Sequence, residues 1–252
     1  VEAQNGIVSL TLNRPDKRNA FNEAMIDELA HALELAEKDT GCRALVIQGK
    51  GKHFCAGADL EWMQAAQQAS SKANQQDALK LSLLMATLDT FSKPVITLVQ
   101  GSVYGGGIGI VACSDIVLAD RSAVFCLSET KLGLIPAVIG PYVISAIGLR
   151  QARRFMLTAE SFGIASALEY GLVHELHDVG KSDQALHDLV RHIMQTAPQA
   201  VMEAKAFIRQ YQVEVDPKAT AQVIAKIRLG KEAQEGIAAF LEGRKPEWAE
   251  GA

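Results

Sequence analysis

The stretch "SVYGGGIGIVACSDIVLAD", residues 102–120, places Gly105, Gly106, Gly107 and Gly109 within five positions and then runs into an apolar segment. A glycine inside a regular element costs roughly 0.5–1 kcal/mol relative to alanine. Four together therefore mark a backbone that something must approach closely. Immediately upstream, "PVITLVQG" (94–101) is a continuous apolar run closed by glycine, the form of a buried parallel strand. The same order occurs earlier, where "ALVIQG" (44–49) precedes "HFCAGADL" (53–60). Backbone N–H groups at two such strand-to-helix turns can converge on one oxygen. Taken singly, each is also an ordinary turn.

Outward from this stretch the chain alternates. "GIVSLTLNRP" (6–15) reads as a strand, and "NEAMIDELAHALELAEKD" (22–39) as an amphipathic helix with Asn22 as N-cap. A long helix is expected from the end of "HFCAGADLEWM" to about Thr90, and a further strand at "AVFCLSE" (123–129). From Gln151 onward the pattern reads as almost entirely helical. Strands alternating with helices imply parallel βαβ units, so the residues alone indicate an α/β fold with a helical tail.

Composition sets bounds on the function. The 252 residues carry a formal net charge of -4, with 48% hydrophobic and 21% charged residues, an ordinary globular balance. Nothing in it attracts nucleic acid in general, and no apolar run reaches the ~18 residues of a membrane span. Cys42, Cys55, Cys113 and Cys126 lack CxxC spacing and read as reduced, buried thiols. The histidines form no metal motif, so no metal is expected. No signal peptide precedes Val1, which suggests a cytoplasmic protein, or a mitochondrial matrix one if a leader was removed.

Five segments occur in an order and spacing that resemble the enoyl-CoA hydratase/isomerase (crotonase) family: "NRPDKRNAF", "FCAGADLEWM", "GSVYGGGIGIVACSDIVLAD", "FCLSETKLGLIPAVIG" and "EGIAAFLEGRKPEW". The resemblance implies a spiral of ββα units with a helical C-terminal trimerisation region. It divides the chain into an acyl-CoA-binding core (1–195) and a helical region (196–252). It further implies an acyl-CoA thioester as partner, with coenzyme A belonging to the substrate and no separate cofactor. Assembly into a homotrimer or homohexamer, a dimer of trimers, is also implied.

Residue by residue, the resemblance places the thioester oxygen between the N–H groups of Ala58 and Gly106, where an enolate would be stabilised. Ala56 falls near the adenine, and Lys17, Arg18 and Ala20 along the CoA path. Asp59, Tyr104 and Gly109 fall around the substrate. Phe240, Arg244 and Lys245 match a terminal segment that closes over CoA; a solvated helix end is the alternative reading of "EGRKPEW". One family lysine there is replaced by Gly243, which shifts the phosphate role to Arg244.

Family hydratases carry two glutamates. The second matches Glu129 in "LSETKLG", expected to be semi-buried with a raised pKa; a salt bridge to Lys131 is the alternative. The first falls on Gly109, where the small residue leads to the expectation of an open space that a carboxylate would fill. Either a substrate carboxylate or a hydroxyl, Tyr104 or Tyr142, is then expected to hold the water. "GADLEWM" and "LSETKLGLIPAVIGPYVISAIG" resemble bacterial 3-methylglutaconyl-CoA hydratases of leucine breakdown, and this chain reads "PAVIGPYVI" where common short-chain hydratases read PGxGGTQRL. A Δ3,Δ2-enoyl-CoA isomerase using one glutamate and a catalytically silent CoA-binding paralogue stay open. RNA binding is disfavoured, because helix 22–39 holds Glu23, Asp27, Glu28, Glu34, Glu37 and Asp39 against Lys38 alone.

Overall fold

The structure, a computed structural model, describes residues 1–211 and 215–249. The chain opens with β1 (Glu2–Gln4) antiparallel to β2 (Ile7–Leu12), followed by α1 (Glu23–Lys38) and β3 (Ala44–Gly49). Asn22 caps α1 by accepting the Met25 N–H at 3.0 Å, and the helix buries Met25, Ile26, Leu29 and Leu33. The strand, helix and cap read from the sequence are thus in place.

One helix was expected up to Thr90, and there are two: α2 (Leu60–Gln68) and α3 (Ser71–Asp89). Ser70 caps the second by accepting the Ala73 N–H, while buried Asn74 donates its amide to the carbonyls of Ala66 and Ala69. This side-chain bracket satisfies the carbonyls freed at the corner.

Each following turn of chain adds one strand to each of two sheets. β4 (Val95–Val99) and β5 (Ser102–Tyr104) precede α4 (Gly106–Ala112), and β6 (Ile116–Asp120) and β7 (Val124–Cys126) precede α5 (Gly140–Thr158). Then come β8 (Phe162–Gly163), α6 (Ile164–Glu169) and β9 (Glu175–His177). The larger sheet has the order β1-β2-β3-β4-β6-β9, parallel from β2 onward, and the smaller β5-β7-β8. Strands β8 and β9 lie where the sequence pattern reads as helical. Both are very short, and β8 is held largely by Phe162 stacking between Phe125 and Phe155.

Alternation along the buried strands divides the core. Leu45 and Ile47 face α1 and the main core, while Ala44, Val46, Ile96, Leu98 and Leu118 face α7 (Ser182–Met194), so β3 is buried on both sides. After α8 (Pro198–Arg209), α9 (Pro217–Arg228) packs along α3, and α10 (Lys231–Glu242) lies on α2 and on the 3-10 turn Glu129–Leu132. The region expected over 196–252 is helical where described; residues 212–214 and 250–252 lie outside the described residues. All four cysteines are free and buried. Among the described residues no helix is long and apolar enough to cross a membrane.

Candidate active site

The two glycine-bearing turns meet. Cys55 forms a parallel bridge with Val103, its N–H reaching Ser102 O at 3.1 Å while Tyr104 N returns to Cys55 O at 2.9 Å. On the other side, Ala56 N bonds Arg18 O, Phe21 N bonds Gly57 O and Asp59 N bonds Phe21 O. The Phe54–Asp59 loop is therefore stitched between β5 and the segment around Arg18–Phe21. Ala58 N and Gly106 N, by contrast, have no acceptor among the described residues.

Asp59, 3% exposed, anchors this loop. One carboxylate oxygen caps α2 through the Glu61 N–H at 2.9 Å, and the other meets Arg14 Nη2 at 2.7 Å. Burial alone would raise its pKa, but the bonds from Arg14 and Glu61 outweigh it and hold the carboxyl below its ordinary value. Arg14 also grips Ala20 O, and the Asn19 amide reaches the carbonyls of Lys50 and His53.

Glu129 lies at the start of its 3-10 turn after β7. Its Oε2 is buried without a hydrogen-bond partner, and burial pushes the pKa up from 4.5 to about 7, against the pull of its own backbone N–H. No salt bridge to Lys131 forms among the described residues. Gly105 faces this carboxyl with φ +50°, and a β-carbon there would lie 3.5 Å from Glu129 Oε1. Glycine at 105 thus serves both the left-handed turn and the approach of the carboxyl.

Ala56, Ala58, Gly106, Glu129 and Phe240 all line one cavity of about 160 Å³. That is close to the roughly 150 Å³ apolar cavity known to hold a benzene, a size suited to a short acyl group. Its wall is otherwise largely apolar, with Met63, Leu81, Leu134, Ile139, Ile224 and Ile237.

The remaining residues named from the sequence lie elsewhere. Tyr104 lines a different hollow with His53 and Val124, and Tyr142 packs near Cys113 and Asp89, so neither hydroxyl faces Glu129's cavity. The space expected beside Gly109 is filled: a β-carbon there would overlap the Ile139 Cγ2 methyl and lie 2.9 Å from Met85 Sδ. Asp59 acts on the loop and does not line the cavity. Lys17 is exposed and paired with Glu61 at 3.0 Å, Arg18 and Ala20 lend backbone carbonyls, and none of the three lines the cavity. Arg244 is held by Glu235 and Glu242, each at 2.6 Å, which weakens its expected attraction for a phosphate. Lys245 adjoins it, its carbonyl accepting a 3.3 Å bond from Arg244 Nη1.

Three further polar residues stand in the wall, of which Trp62 lies in the quoted "GADLEWM" while Asp77 and Arg228 had no sequence signal. Arg228 of α9, Asp77 of α3 and Trp62 of α2 come together there, with the Trp62 indole N–H 3.0 Å from Asp77 Oδ1 and Arg228 Nη1 3.4 Å from Asp77 Oδ2. In "IAKIRLGKEA" an arginine looks like any charge on a helix surface. Only the packing of α9 on α3 brings it inside.

Comparison with known proteins agrees with this architecture. A family model described as enoyl-CoA hydratase/isomerase matches residues 2–251. The chain is 33% identical to the 2,3-dehydroadipyl-CoA hydratase of Escherichia coli, with 98% of this chain and 97% of that protein covered. It is 31% identical to the 1,2-epoxyphenylacetyl-CoA isomerase of the same organism, covering 97% and 95%. The crystal structure of an enoyl-CoA hydratase from Shewanella pealeana superposes with a TM-score of 0.82 at 42% identity, covering 98% and 94%. With the family model matching almost the whole chain and these relatives covered nearly end to end, the chain belongs to the enoyl-CoA hydratase/isomerase family.

Proposed function

We propose that the protein adds water to an α,β-unsaturated acyl-CoA, with Ala58 and Gly106 holding the thioester oxygen and Glu129 as the proton carrier. The observation that carries this reading is the unpartnered, buried Glu129 carboxyl in the same cavity as the two free N–H groups. A carboxyl with a pKa near 7 exchanges protons readily at neutral pH.

One carboxylate satisfies the atom balance. Ionised Glu129 takes a proton from water as the water oxygen bonds to the β-carbon. The π electrons move onto the thioester oxygen, and the N–H groups of Ala58 and Gly106 stabilise the enolate. Collapse of the enolate takes that same proton from Glu129 to the α-carbon, which leaves the 3-hydroxyacyl-CoA and an ionised Glu129. The motif resemblance supports 3-methylglutaconyl-CoA as substrate and 3-hydroxy-3-methylglutaryl-CoA as product, a step of leucine breakdown. Assembly as trimers or hexamers in the cytoplasm belongs to the same reading.

The filled space at Gly109 favours a second reading. With Ile139 where family hydratases have a carboxylate, Glu129 would move a proton from C2 to C4 of a 3-enoyl-CoA, an isomerisation that requires no water. Incubation in H2(18)O separates the two. Label at C3 of the product establishes hydration, and a shifted double bond without label establishes the isomerase. Intact thioester after incubation with a panel of enoyl-CoA esters of both kinds would mean a silent CoA binder and would overturn both.

A further inference from the structure

Arg228 is an expensive residue to place in an apolar wall. Its side chain is 14% exposed and that of Asp77 21%, and burial pulls the pKa of the arginine down and that of the aspartate up. A cation so placed needs strong partners, and those present are weak. Both of its side-chain hydrogen bonds leave through one nitrogen: Nη1 reaches Asn74 Oδ1 at 3.3 Å and Asp77 Oδ2 at 3.4 Å. Asp77 is itself shared, since Oδ1 accepts the Trp62 indole N–H. Nε and Nη2 have no acceptor among the described residues, and neither is sealed from solvent.

A guanidinium whose Nε–Nη2 edge is open presents two parallel N–H donors, the geometry that takes a carboxylate in bidentate fashion. Asn74 and Asp77 engage the opposite nitrogen, Nη1, and Trp62 steadies Asp77 through its indole N–H. Arg228 lines the same cavity as Glu129, together with Ala78, Leu81 and Ile224.

We infer that Arg228 is the specificity-determining residue of the cavity, receiving through Nε and Nη2 a carboxylate at the far end of the acyl chain. The preferred ligands are then short ω-carboxyacyl-CoA thioesters in preference to simple fatty acyl ones. This rests on the cavity being the acyl site of the proposed function, and it names the residue that would read the substrate. A purely structural Arg228, clamping α9 to α3, would show no such preference.

Saturated thioesters test the inference without any reaction. Glutaryl-CoA and pentanoyl-CoA differ at the chain end, where one carries a carboxylate and the other a methyl group. Calorimetric titration of the wild type should show glutaryl-CoA binding at least tenfold more tightly, the scale of a charge-assisted hydrogen-bonded pair. Arg228→Met should abolish that ratio while binding pentanoyl-CoA as well as the wild type does. If Arg228→Met does not fold, Arg228→Lys decides: the single ammonium should cut the preference to below a third of its wild-type value. Equal affinities in the wild type overturn the inference, as does a preference unchanged in the variants. Because neither thioester has a double bond, the outcome is separate from the reaction. A glutaryl preference with no turnover of any enoyl-CoA would remove the functional reading and leave the subsite. Turnover without the preference would remove the subsite alone.

Discussion

Ile139 stands over Gly109 so closely that its Cγ2 methyl occupies the space a side chain at 109 would need, with Met85 Sδ closing the other side. The glycine at 109 and "PAVIG" in the segment before α5 are therefore one packing unit. Ile139 is 3% exposed and also lines the Glu129 cavity. This part of the cavity wall is a methyl surface.

Introducing the glutamate should harm the protein. Gly109→Glu would overlap Ile139 and bury a carboxylate against Met85, and overpacking alone typically costs about 1–3 kcal/mol. The variant is expected to melt lower than wild type by on the order of 5 °C or more, using about 2–4 °C per kcal/mol, with no gain in crotonyl-CoA hydration. Gly109→Glu with Ile139→Ala should recover part of the melting temperature. A single variant that melts like wild type and hydrates faster would show that Ile139 yields easily.

The backbone donor at 106 is testable by a pair of substitutions. Gly106→Pro deletes the N–H at a helix position where proline is sterically tolerated, and Gly106→Ala keeps it. Both bring a β-carbon to about 3.0 Å from the Phe21 ring, so that part of the packing cost is shared. Proline should lower kcat by about 10²–10³ relative to alanine. Equal rates in two variants with matching circular dichroism would remove Gly106 from the chemistry.

The spacing of Gly105–Gly109 after an apolar run made the strand, the turn and the following helix legible, and the same pattern at 44–60 made their meeting foreseeable. Glu129 was legible in its burial, because leucines at 127 and 132 flank it. Whatever depends on which helix crosses which was not. Arg228 and Asp77 lie 151 positions apart and meet only because α9 packs on α3. Gly109 reads as empty space until Ile139, 30 residues later, is seen folded over it. Strands β8 and β9 escaped notice because two or three residues carry too little alternation to outweigh helical neighbours.

Asp59 should act on rate through position alone. Asp59→Ala removes the α2 cap, worth about 1 kcal/mol, and leaves Arg14 without its partner, so a total loss of about 2–4 kcal/mol is expected. With the Ala58 N–H no longer fixed, kcat should fall more than the affinity for a saturated acyl-CoA. A variant with weakened binding and unchanged kcat would make Asp59 a substrate contact instead.

Glu129 couples turnover and stability in opposite directions of pH. Its folded pKa, about 7, lies above the ordinary 4.5 because burial penalises the charge. The folded state therefore holds its proton more tightly than the unfolded state between these values. The stability it contributes is intact below 4.5 and is lost as pH rises through 7, by about 3 kcal/mol once the group is ionised. The working base, however, is that ionised form, so kcat/KM should rise with pH through about 7 and level off above it. Glu129→Gln keeps the shape and removes the titration. It should abolish turnover, leave CoA affinity nearly intact, and gain melting temperature over wild type at pH 8 by on the order of 5–10 °C relative to the difference at pH 5. Thermal melts of both proteins at the two pH values, alongside the pH–rate profile, provide the check. A melting difference independent of pH, or activity retained in the variant, would mean that the buried carboxyl is not the group that carries the proton.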